Sequence, residues 1–70
     1  MPINSNLRSA RITLDMSQNK LAEAVGVSKQ TIVAIERGDY SPSIKLSKTI
    51  CKVLGKSLDE LFGEENGNEV

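Results

Sequence analysis

The sequence predicts an all-α fold, a compact bundle of five short helices in one domain. Three observations predict it. Apolar residues recur at helical spacings rather than in alternation. Serine recurs ahead of these periodic stretches, where its hydroxyl can cap the free N–H groups of a first turn. Glycine recurs just after them, where a left-handed residue ends a helix without steric cost.

The elements follow in order. Leu7, Ala10, Arg11 and Leu14 fall at i, i+3, i+4 and i+7, one face of a first helix that Asn4, Ser5 or Asn6 can cap and that should end near Asp15 and Met16. Ser17 caps a second helix, Gln18 to Val25, ended by Gly26, and Ser28 caps a third, Lys29 to Arg37, ended by Gly38. Ser41-Pro42-Ser43 opens a fourth, with the proline in a first turn that needs no N–H from it, running to about Leu54 and Gly55. Ser57-Leu58-Asp59-Glu60 has capping-box spacing for a short fifth helix ending at Phe62. No segment alternates like a strand, and Ile3 and Asn4 can at most form an extended stub that pairs with the chain after Phe62.

Composition narrows the function. The chain has 70 residues, enough for one domain with a modest core and little room for a deep cleft. Tyr40 and Phe62 are its only aromatics, which counts against base stacking on single strands. It has no histidine and one cysteine, so Cys/His zinc sites and an internal disulfide are excluded. Cys51 sits among apolar neighbours, as a small core residue more naturally than as a redox sensor. No apolar run matches a membrane span, and Met-Pro-Ile-Asn-Ser lacks a signal pattern, so a cytoplasmic location is expected.

Nine Lys/Arg balance nine Asp/Glu, which first argues against a nucleic-acid binder. The distribution reverses that. Three of the acids, Glu64, Glu65 and Glu69, lie in the last seven residues, so residues 1–63 hold nine bases against six acids, a net +3. The domain is therefore placed at 1–63, with 64–70 an acidic tail expected to be mobile. On the fourth helix Lys45, Lys48, Lys52 and Lys56 line one side and Ile44, Leu46, Ile50, Val53 and Leu54 spread over the other. The stripe is a solvated face, or else Lys45 or Lys48 reaches a phosphate.

Residues 18–37, QNKLAEAVGVSKQTIVAIER, meet the demands of two short helices crossing steeply about a turn. Ala22 is small where the helices cross, Gly26 tolerates positive φ, and Leu21, Val25, Val27, Ile32 and Ile35 close the angle. The outer face of the second helix stays polar or small, with Lys29, Gln30, Thr31 and Ala34.

The segment SQNKLAEAVGVSKQTIVAIERGDYSPS resembles the Cro/CI-type helix-turn-helix family, also called the xenobiotic-response-element family, in its short single-domain form. The likeness extends over Leu7 to Phe62 and includes the closing KSLDELF. It implies a lambda-repressor-like bundle that dimerises and binds a twofold-symmetric double-stranded DNA operator, a transcriptional regulator and most simply a repressor. It implies Gln18 on a phosphate at a helix N-terminus. It places Ser28 to Arg37 in the major groove, with Lys29 and Gln30 on base edges, Thr31 on a base or phosphate and Ala34 near a thymine methyl. Val33 is packed more than it is a base contact. Arg37 and Tyr40 take backbone-contacting positions. The likeness also implies a bidentate ion pair from Arg11 to Glu36, structural in role.

Two features depart from the family pattern. Leu14-Asp15 stands where glycine often ends the first helix, and Asp tolerates the left-handed region. Lys20 stands where an acid would complete a capping box with Ser17. Leu58, Leu61 and Phe62 are candidates for a dimer contact, with core packing the other reading. The alternative function is an antitoxin or other protein-interaction module on the same fold, its acidic tail the partner-binding segment. Neither a cofactor nor a small-molecule ligand is implied, and an enzyme is the least supported class.

Overall fold

A computed structural model describes residues 4–63, which form five α-helices and no strand. They are α1 (Ser5–Thr13), α2 (Gln18–Val25), α3 (Lys29–Arg37), α4 (Ile44–Leu54) and α5 (Leu58–Phe62). The acidic tail and Ile3 lie outside the described residues.

Every helix start is a side-chain cap onto the N–H three residues on. Asn4 accepts from Leu7 at 3.0 Å, Ser17 from Lys20 at 2.9 Å, Ser28 from Thr31 at 3.3 Å and Ser43 from Leu46 at 3.1 Å. Ser57 accepts from Glu60 at 3.1 Å, and the Glu60 carboxylate accepts the Ser57 N–H at 2.8 Å, completing a capping box. That N–H holds the Glu60 carboxyl below its ordinary range. No such reciprocal bond is formed at α2, where Lys20 occupies the third position.

Three expectations are corrected. Pro42 precedes the Ser43 cap rather than sitting in the first turn of α4, because the serine after it offers the hydroxyl. Asn4 is not a strand stub: its side chain caps α1 and its N–H donates to the Glu36 carbonyl at 2.9 Å. Leu14 does not join the buried face of α1. The helix stops at Thr13, Asp15 turns left-handed at φ 61°, and Leu14 is left about half exposed.

The core draws on every helix: Leu7 and Ala10 from α1, Leu21 and Ala22 from α2, Ile32 and Ile35 from α3, Ile50, Cys51 and Leu54 from α4, and Leu61 from α5. Each large aliphatic side chain removed from water contributes about 1.5–3 kcal/mol. α2 packs chiefly on α3 and α4, while α5 joins α1 to α4. Leu61 is only 3% exposed, so it belongs to this core and not to a dimer surface, whereas Leu58 and Phe62 are half-buried against it. Burial, reinforced by the Glu60 charge, pushes the Cys51 thiol up, which keeps it a neutral packing residue. On α4 Lys45, Lys48 and Lys52 are exposed, opposite Ser47, Ile50, Cys51 and Leu54, whereas Lys56, expected on the same stripe, lies past the Gly55 cap and outside the helix; Ile44 at the helix start is exposed as well.

Candidate nucleic-acid interface

The geometry of the site starts at the turn between α2 and α3. Gly26 adopts φ 81°, and its N–H and that of Val27 both reach the Ala22 carbonyl, at 2.9 and 3.0 Å. A Cβ at Gly26 would meet nothing within 4 Å, so the demand for glycine is one of backbone conformation alone. The turn aims α3 so that Ile32, Ile35 and Glu36 face inward and are buried.

The opposite face of α3 is open. Lys29, Gln30, Val33, Ala34 and Arg37 line a shallow depression of about 380 Å³, joined by Asp39 from the following loop. Lys29, Gln30 and Arg37 are exposed, and Val33 and Ala34 are half-buried at its floor. Four of the residues expected at the interface therefore converge: Lys29, Gln30, Ala34 and Arg37. Ser28 and Thr31 lie at the start of the same helix, with their hydroxyls 3.0 Å apart and engaged with each other. Tyr40 is half exposed beyond the helix end and does not line the depression.

Gln18 stands apart from the depression. It opens α2, half-buried, and its amide donates to Glu36 Oε1 at 3.1 Å. Glu36 also accepts from Arg11, at 2.7 Å from Nε and 3.2 Å from Nη2, and Arg11 Nη1 donates to the Met16 carbonyl at 2.7 Å. One carboxylate thus ties α1, α2 and α3 together. Three charge-assisted bonds satisfy a carboxylate that would otherwise be costly to bury. The Gln18 amide carries a second N–H beyond the one it gives to Glu36, while the Lys20 N–H of the same first turn is taken by the Ser17 hydroxyl.

Sequence reasoning missed Asp39. Its N–H donates to the Ala34 carbonyl at 2.9 Å across the left-handed Gly38, which fixes it just past the end of α3. Its carboxylate lies 3.6 Å from Arg37 Nε. The available signal was an acid two residues beyond a last-turn arginine, with a glycine between. Among the described residues no cluster of metal-ligating side chains occurs, and no helix is long and apolar enough to cross a membrane.

Comparison with known proteins adds to this geometry. A family model described as Helix-turn-helix matches residues 7–61. The chain is 39% identical to the uncharacterized HTH-type transcriptional regulator YgzD of Bacillus subtilis, over 94% of this chain and 100% of that protein. It is 31% identical to the cryptic phage CTXphi transcriptional repressor RstR of Vibrio cholerae, over 93% of this chain and 59% of RstR. Its fold matches the crystal structure of the restriction-modification controller protein C.AhdI from Aeromonas hydrophila with a TM-score of 0.78 at 27% identity, over 84% of this chain and 86% of that one.

Proposed function

The chain belongs to the helix-turn-helix family of DNA-binding transcriptional regulators, and on that premise we propose that it is a repressor that occupies a twofold-symmetric operator as a homodimer in the cytoplasm. The observation that carries the reading is the outer face of α3, where Lys29, Gln30, Ala34 and Arg37 share one open surface. A nine-residue helix is about 13 Å long at about 1.5 Å per residue, a fit to the major groove of a duplex. Lys29 donates to guanine O6 or N7, Gln30 pairs with an adenine edge, and Ala34 meets a thymine methyl. Gln18, Ser28, Thr31, Arg37 and Tyr40 hold the backbone on either side.

Repression follows from occupancy: the chain excludes other proteins from the operator rather than performing chemistry on it. The RstR likeness supports this sign of regulation. One short α3 touches few bases, so useful selectivity calls for a second copy on a second half-site. Leu58 and Phe62, half-buried on α5, are the apolar residues proposed to meet that copy. The test is binding of labelled duplexes by the purified chain across a range of salt, beside the Lys29→Ala/Gln30→Ala variant. Affinity should fall steeply with salt, and the variant should lose sequence preference while keeping its helical spectrum. A flat salt response, or an unaltered preference in the variant, contradicts the reading.

A further inference from the structure

We infer that Asp39 is a positioning residue that sets DNA affinity by acting as an intramolecular stand-in for phosphate on Arg37. The inference rests on the proposed DNA-binding reading of the α3 face. Four observations lead to it. Asp39 lines the same depression as Lys29, Gln30 and Arg37, and is the single acid among them. Its carboxylate stands 3.6 Å from Arg37 Nε, a separation that pairs the charges while leaving both groups open to solvent, with side chains 59% and 72% exposed. Its backbone N–H donates to the Ala34 carbonyl at 2.9 Å, which keeps the residue at the end of α3 beside the depression. Finally, it sits at the C-terminal end of α3, where the helix dipole disfavours a negative charge.

That last point separates function from folding. An acid at this end of a helix opposes stability, and an exposed pair returns little of it. The energetic consequence of Asp39 lies instead in what approaches the surface. A DNA phosphate reaching Arg37 must displace a carboxylate already paired with it, and the displaced carboxylate then faces the incoming backbone. Asp39 therefore lowers the number of counterions that binding releases, and holds down the sequence-independent part of the affinity.

The test compares the full chain with Asp39→Asn, Arg37→Ala and the double variant, on one duplex recovered by selection and one scrambled duplex, across a range of salt. Asn keeps the size of the side chain and the backbone bond. Asp39→Asn should bind about two- to fivefold more tightly at low salt, the span that exposed ion pairs cover, and its log K against log salt should steepen by up to about 0.9. In the Arg37→Ala background the same substitution should lose most of that gain. Unchanged affinity and slope in Asp39→Asn overturn the inference, as does an equal gain with and without Arg37, which would mark simple repulsion. A wild-type chain that binds neither duplex overturns the DNA-binding reading as well. Wild-type binding with an indifferent Asp39→Asn overturns this inference alone.

Discussion

Glu36 and Arg37 are neighbours on α3, and each carries an ion pair, but the two pairs sit in opposite surroundings. Arg11 and Glu36 have side chains 9% and 4% exposed and meet at 2.7 Å, whereas Arg37 and Asp39 are 72% and 59% exposed and stand 3.6 Å apart. The inner pair is buried and held by four hydrogen bonds, three from Arg11 and one from Gln18, so removing one partner strands a buried charge. The outer pair keeps its water, so its members are free to exchange one partner for another. A step of one residue along a helix thus moves from a buried contact that joins three helices to an exposed one on the face proposed to meet DNA.

The largest effect should come from breaking the inner pair. Glu36→Ala leaves the Arg11 guanidinium unpaired and should cost about 3–5 kcal/mol, enough to unfold a domain of this size. Urea denaturation followed by circular dichroism measures it. Replacing both partners by Arg11→Met/Glu36→Leu should cost less than Glu36→Ala alone; an equal or greater loss would mean that hydrogen bonds to Gln18 and Met16, not the stranded charge, dominate. Ile32→Ala, on the same inner face and fully buried, should cost about 2–5 kcal/mol by the same assay.

The outer face should respond in the other observable. Lys29→Ala should leave the unfolding midpoint nearly unchanged and remove about 1–3 kcal/mol of discrimination at one base pair, measured by competition between matched and single-mismatch duplexes. A large fall in stability would place Lys29 among the structural residues and blur the contrast between the faces. Smaller still is Asp15→Gly. Asp15 holds φ 61° without being glycine, so glycine should leave stability equal or raise it by up to about 1 kcal/mol.

The smallest effect concerns pH. Glu60 has its carboxyl lowered by the Ser57 N–H, so its contribution is present above the ordinary carboxylate range and is lost as pH falls through the lowered value. Glu60→Gln should flatten the acid side of the stability profile slightly; an unchanged profile would deny the capping box a charge-dependent part.

How far the sequence went depends on the range of the interaction. The cap of each helix is a bond between residues three apart, and glycine stops act within one turn, so Ser17, Ser28 and Ser57 and the ends at Gly26, Gly38 and Gly55 were legible from local chemistry. The α3 outer face was legible too, since helical spacing alone groups residues 29, 30, 34 and 37. Long-range choices were not. The bond from Gln18 to Glu36 joins residues 18 apart, and only packing reveals that the amide is shared between the core and the surface. Leu61 and Leu14 look alike as apolar residues near helix ends, yet one is buried and the other exposed because of a turn at Asp15 and the docking of α5. The Arg11–Glu36 pair came from resemblance, since nothing local to either residue demands it.

The contrast between the faces of α3 rests on one central claim, that the outer face recognises duplex sequence in pairs. Selection of bound sequences from random duplex DNA by the purified chain tests it most directly. Enrichment of one short half-site repeated in inverted orientation, with centres about 34 Å apart along the duplex, is the expected result. Recovery of a pool no different from the starting one, from protein that is folded and binds DNA, would contradict it.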